Sequence, residues 1–219
     1  MDQQKTNSQF IEQEIKFILI KDEISKLKER ISKLHNKIRF VSRKYEQTIM
    51  FDNAEKIMDR EDARLRVRVI KSGITDNDGE IRVEFSYKRR IQDSSGDNIK
   101  REEEIETFFE MDNNAYNNFI LILNKMGFYQ TSSYERFRET YTADNEQIKL
   151  TIDEFPFGYI VEIEGRGKES IYNYRSLLGL DTYKPTLEGC DDIYERMCRE
   201  RGIVPKSNIC FDDDEMPKL

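Results

Sequence analysis

The chain has 219 residues, with 36 Lys and Arg against 43 Asp and Glu, a net charge of −7, and 36% charged against 37% hydrophobic residues. That length fits one sizeable domain, and the acidic balance argues against nucleic acid or an anionic membrane as the main partner. No run approaches the ~18 apolar residues of a membrane helix, and the polar start lacks a signal-peptide core.

Taken in chain order, residues 1–8 read as a polar, mobile start. A strand follows over 10–20, where Glu12, Glu14 and Lys16 share one face and Ile11, Ile15 and Phe17 the other, because successive strand side chains point to opposite sides. Ile24, Leu27, Ile31, Leu34 and Ile38 recur at spacings of three and four, which predicts a helix over 22–38. That seam spans fewer than three heptads, so it packs on the sheet rather than forming a coiled coil. His35, the single histidine, sits beside it as a surface residue. Strands are predicted over 44–51 and 62–71, the second with Arg64, Arg66 and Arg68 opposite Leu65, Val67 and Val69. The 80–90 strand sets Arg82, Glu84, Ser86 and Lys88 against Val83, Phe85 and Tyr87. Over 99–109 the run Arg101-Glu-Glu-Glu-Ile-Glu106 leaves the inward face open by one residue, with Glu104 a candidate.

A second helix is predicted over 112–126, with Gly127 as its C-cap. In the strand over 133–142, Arg136 and Arg138 flank Phe137. In 146–154, Lys149, Thr151 and Asp153 alternate with Ile148, Leu150 and Ile152; in 158–165, Glu162 and Glu164 alternate with Val161 and Ile163. Turn chemistry separates the strands at Ser72-Gly73, Asp78-Gly79, Ser94-Ser95-Gly96-Asp97, Asp144-Asn145 and Phe155-Pro-Phe-Gly158. Helices over 168–179 and 188–202 complete a domain of residues 9–204, and residues 205–219, with Asp212–Glu215, read as a solvated acidic tail. Cys190, Cys198 and Cys210 fit no zinc spacing and read as free thiols of a cytoplasmic protein.

One strand with a charged face is an ordinary surface strand. Six of them, with charges of both signs, point to an α+β fold built on a closed antiparallel eight-stranded barrel. Its charged faces line the interior and helices cover its apolar outside. A charged lumen is costly unless its groups pair with each other, with metal, or with an ionic ligand.

The motifs resemble those of the CYTH family, the triphosphate tunnel metalloenzymes. Glu12-Gln-Glu14-Ile-Lys16 resembles the ExExK signature and Leu65-Arg66-Val-Arg68 the LRxR strand. Ser86-Tyr87-Lys88 resembles the single-lysine strand, and Arg136-Phe-Arg138 followed by Tyr141 the paired-basic strand. Asp153 through Gly165 resembles the closing hairpin with its final ExE pair. The match runs in order over residues 10 to 202. It implies that Lys16, Arg66, Arg68, Lys88, Arg136 and Arg138 hold phosphates. It implies that Glu12, Glu14, Glu162 and Glu164 hold Mg²⁺ or Mn²⁺, two ions per site. Lys16, Lys88 and Asp153 are the candidates for catalytic roles, with Arg64 and Glu104 in support.

The expected partner is a triphosphate-containing small molecule, bound by a monomer or homodimer. The expected activity is metal-dependent hydrolysis of a phosphoanhydride bond. One alternative is class IV adenylate cyclase chemistry, which also needs a nucleoside pocket to which no residue can be assigned. The other is a non-catalytic polyphosphate or nucleotide module, which needs the arginines but not four metal carboxylates. The absence of tryptophan weakens the vertebrate-type thiamine triphosphatase reading, in which an aromatic stacks on the thiamine ring.

Overall fold

Eight antiparallel strands form a closed ring in the computed structural model, which describes residues 10–71, 80–92, 96–143, 147–213 and 216–217. In chain order the elements are β1 (Phe10–Leu19), α1 (Lys21–Lys33), β2 (Ile38–Asn53), α2 (Ile57–Arg60), β3 (Ala63–Lys71), β4 (Glu80–Arg90), β5 (Lys100–Asp112) and α3 (Asn113–Lys125). They continue with β6 (Phe128–Ala143), β7 (Ile148–Phe155), β8 (Gly158–Gly165), α4 (Lys168–Leu177), α5 (Cys190–Glu200) and β9 (Asn208–Ile209). Around the ring the order is β2-β3-β4-β5-β1-β8-β7-β6, and β6 pairs back onto β2 to close it. Closure leaves no unpaired edge among these eight strands.

The period-two alternation is realised as predicted: charged faces point in and apolar faces out. Most of the outward apolar side chains are then buried under helices, while Ile11 of β1 and Ile105 of β5 stay exposed. α1 and α4 cover β1, β7 and β8, packing Ile24, Leu27, Ile31, Ile171 and Leu178 against Ile15, Phe17 and Ile163. α3 lays Leu123, Phe119 and Ile120 on Phe51, Val67, Val83 and Phe85. α5 packs Ile193, Tyr194 and Met197 against Phe155 and Phe157. Its first residues, Gly189, Cys190 and Asp191, line the cavity inside the ring. Lys16 donates to the Glu188 carbonyl at 3.2 Å, and Thr186 forms a bridge with the backbone of Lys16. The C-terminal segment is thereby tied to β1. Gly127 takes φ +88° just past α3, a left-handed position that glycine reaches without strain.

Several boundaries differ from the sequence reading. α1 ends at Lys33, and Ile38 opens β2, six residues before the strand expected at 44. Ile38 still reaches the apolar cluster under α1, so a strand residue completes the helical seam. β6 is also longer than expected, because β2 and β6 pair along almost their whole length. The tail is not simply solvated. β9 adds in parallel to β6, Ile209 and Met216 are buried under α5, and Lys206 pairs with Asp213 at 2.7 Å. The start over 1–8, the turns at 72–73, 78–79, 94–95 and 144–145, and Asp214 and Glu215 lie outside the described residues. His35 is exposed, and Cys190, Cys198 and Cys210 are free thiols. Among the described residues no helix is long and apolar enough to cross a membrane.

The four-residue α2 left no periodic signal. It is held by Asp52, whose carboxylate accepts from the backbone N–H of Asn53, Met58 and Asp59 at 2.8, 3.0 and 3.2 Å. Burial pushes the Asp52 carboxyl up, but these donors outweigh it and hold it below the ordinary aspartate value. The turn matters because it delivers the chain into β3 and so sets the register of three arginines. Asp52→Ala is expected to lower stability by about 1–2 kcal/mol at neutral pH, by analogy with a lost N-cap. A lowered carboxyl stabilises the fold above its unfolded pKa and loses that contribution as pH falls through the folded value. Urea denaturation should therefore show the gap between wild type and variant narrowing in acid; a gap that widens would contradict this account.

Candidate active site

The ring encloses a cavity of about 380 Å³ lined by ten basic and ten acidic side chains. Every phosphate and metal candidate read from the sequence lines it: Glu12, Glu14, Lys16, Arg66, Arg68, Lys88, Arg136, Arg138, Glu162 and Glu164, with Arg64 and Glu104. Asp153 does not. It is 1% exposed and sits behind Arg136 and Arg138, so it positions those arginines rather than meeting a ligand.

The acidic wall is built where β1 meets β8. Register places Glu14 opposite Glu164 and Lys16 opposite Glu162, so the two Glu-x-Glu pairs, far apart in sequence, become cross-strand neighbours. Lys16 lies 3.2 Å from Glu162 and 3.5 Å from Glu14. Lys88 pairs with Glu12 and with Glu104, the latter at 2.9 Å, and Lys149 pairs with Glu164 at 2.8 Å. Burial, reinforced by Glu12, raises the Glu164 carboxyl to about 7 against the pull of Lys149. Burial raises Glu104 as well, again with Glu12 adding to it. Glu12 is driven the other way: burial opposes its charge, but Lys88 keeps it ionised. Burial and mutual repulsion therefore work against full ionisation of this cluster of carboxylates.

The basic wall comes from β3, β4 and β6. Arg66 donates to Ser86 Oγ at 2.7 Å and to Glu84 at 3.1 Å. Arg68 donates to Glu84 at 3.0 Å and to Thr48 Oγ1 at 3.2 Å. Arg136 binds Glu46 at 2.6 Å and Asp153 at 3.0 Å; Arg138 binds Asp153 at 2.6 Å and Glu162 at 3.0 Å. Among the described residues no buried side-chain nitrogen or oxygen lacks a hydrogen-bond partner. That satisfaction is what makes so many buried charges tolerable.

Sequence reasoning passed over Glu46, Glu84, Lys100 and Glu102 as site residues, although all four are buried and line the cavity. Glu46 and Glu84 carried a signal, since each sits on the charged face of an alternating strand. Lys100 and Glu102 needed the β5 register. Lys88 opposite Glu104 settles that Glu102, Glu104 and Glu106 face inward and Glu103 and Ile105 outward. Lys100 lies 2.9 Å from Glu102 and 3.5 Å from Glu14. Burial, with Lys16 adding repulsion, pushes its ammonium down to about 7.

The carboxylates of β1 and β8 have the hard oxygen donors that Mg²⁺ or Mn²⁺ takes. Among the described residues, however, no three acidic side chains already surround one point. Each glutamate is engaged by a lysine or arginine. Loading with metal therefore requires these ion pairs to exchange partners.

No family model and no curated protein matches the chain. Solved structures do. The PH1819 protein of Pyrococcus horikoshii OT3 matches with a TM-score of 0.61 and 21% identity, over 87% of this chain and 99% of that one. A candidate adenylyl cyclase from Hippeastrum, with a dominant triphosphatase activity, matches at TM-score 0.58 and 16% identity, over 89% and 97%. The chain shares the fold of these proteins. The same fold also occurs in the Schizosaccharomyces pombe Mediator head module, at TM-score 0.57, 10% identity, and coverage of 80% and 98%. The ring by itself therefore does not fix an activity; the side chains inside it must.

Asp153 gives the sharpest test of how that interior is held. Asp153→Ala leaves Arg136 and Arg138 without their shared carboxylate in a buried site. Removing one partner of a buried pair costs about 3–5 kcal/mol. A urea melt showing a loss under about 1 kcal/mol would mean that solvent or other carboxylates replace it.

Proposed function

We propose that the ring is a closed barrel serving as a triphosphate tunnel, and that the protein is a divalent-metal-dependent enzyme hydrolysing a phosphoanhydride bond. The observation that carries this is the coexistence, in one cavity, of two Glu-x-Glu pairs on adjacent strands and a surrounding wall of lysines and arginines.

Charge balance supports the metal. The lining is formally balanced, with ten basic against ten acidic groups. A triphosphate brings roughly four negative charges. Two divalent cations would supply the matching positive charge. Glu12, Glu14, Glu162 and Glu164 are the residues to hold the ions. When bound, the metal polarises phosphoryl oxygens and activates water.

The rest falls to the protein's own groups. Arg66, Arg68, Arg136 and Arg138 give up carboxylate contacts to take phosphate oxygens, where planar bidentate donors fit well. Lys16 and Lys88, now paired with Glu162 and Glu12, would do the same. Asp153 stays behind Arg136 and Arg138 and keeps them aimed inward. In a largely buried cavity these preset charges stabilise the spread charge of the transition state more than water does.

Adenylate cyclisation is the second reading; the Hippeastrum protein of the same fold is described as a candidate cyclase, though with a dominant triphosphatase activity. It requires the ribose hydroxyl to be held in line with the α-phosphorus. Incubation with Mg²⁺ or Mn²⁺ and either tripolyphosphate or ATP separates the two. Hydrolysis predicts orthophosphate from both and ADP from ATP. Equal amounts of pyrophosphate and cyclic AMP would decide for the cyclase. Glu14→Gln and Glu164→Gln are each expected to lower turnover at least about tenfold at limiting metal, as loss of metal-site groups does. Turnover at the wild-type level in both would remove these glutamates from the metal site.

A further inference from the structure

We propose that Lys44 of β2 is a substrate-anchoring residue, whose ammonium takes a phosphate oxygen together with Arg138. The inference rests on the triphosphate reading above and deepens it, because the motifs assign nothing on β2.

Lys44 is half-buried and lines the cavity. The other nine lysines and arginines of the lining each have a carboxylate oxygen within 3.2 Å. Among the described residues Lys44 has none. Its position explains why. In the β2–β6 register Lys44 lies directly opposite Arg138, where paired side chains stand about 5 Å apart. One rung outward are Ser42 and Thr140, which are neutral. One rung inward is Glu46, whose Oε2 is already taken by Arg136 at 2.6 Å and lies 3.5 Å from Arg68. Arg138 itself is committed to Asp153 and Glu162.

Two cations directly opposite each other are unfavourable in a sheet. The arrangement turns favourable when an anion lies between them. Among the described residues no carboxylate pairs with Lys44, whereas each of the other nine lining cations has one. Lys44 can therefore bind an anion without first breaking an ion pair, while Arg138 must exchange one. That makes Lys44 the cation on this wall best placed to capture an incoming phosphate and hand it on. A flexible single-point donor suits such a role.

The test is calorimetric titration of tripolyphosphate, with Mg²⁺ present, into wild type, Lys44→Gln and Lys44→Arg. Thermal denaturation of the ligand-free proteins is run alongside. Losing one charge-assisted contact predicts binding weaker by about tenfold or more in Lys44→Gln. Lys44→Arg should recover most of it, and the ligand-free melting temperature of Lys44→Gln should not fall below that of wild type, since a like-charge pair is relieved. Binding by Lys44→Gln as tight as wild type would overturn this inference alone and leave the triphosphate reading intact. A loss that Lys44→Arg does not restore would also overturn it, because charge is then not the cause. Wild type that binds no tripolyphosphate would overturn both.

Discussion

The structure depends on one constraint: every charge buried inside the ring must be answered by another. A lone ion in such an interior is costly, by several kcal/mol even after relaxation. This fold buries Glu14, Lys16, Glu46, Arg68, Glu84, Lys88, Lys100, Glu102, Arg136 and Asp153 together. They are tolerable only as a connected network of alternating sign. Strand closure makes that network possible, since each interior residue meets partners from two neighbouring strands. Opening the ring at the β2–β6 seam would separate Glu46 from Arg136 and unbalance both.

The same constraint shapes the outside. With polar side chains turned inward, the apolar side chains of each strand face out and cannot be left wet over so large an area. α1, α3, α4 and α5 exist in this fold to cover them. The usual arrangement of a soluble domain is thus inverted around the sheet, with a salt-linked centre and a hydrophobic shell between sheet and helices. The hydrophobic effect supplies the stability. The ionic centre supplies little net stability but a specific, preorganised field.

Under the proposed function, that field is also a binding device held in its resting state. Lysines and arginines occupy the oxygens a metal needs, and glutamates occupy the donors a phosphate needs. Both sets can be released at once, because metal and polyanion satisfy opposite halves of the network. Lys44 stands apart as the interior cation that the fold itself leaves unanswered among the described residues.

Much of this was legible in the chain because strand periodicity is strict. Alternation in Glu12–Lys16, Arg64–Arg68, Arg82–Lys88, Arg136–Arg138, Lys149–Asp153 and Glu162–Glu164 fixed which side chains share a face, and the order of motifs indicated closure. Local periodicity is silent on where a strand begins beyond its charged stretch, so the first six residues of β2 and its long seam with β6 were missed. It is silent on a four-residue helix held by one aspartate. Above all it does not report partners. That Glu14 faces Glu164, that Asp153 stands behind two arginines, and that Lys44 faces Arg138 are matters of register between distant segments. Only the closed sheet decides them, because contact across a ring is set by hydrogen-bonded alignment and not by sequence separation.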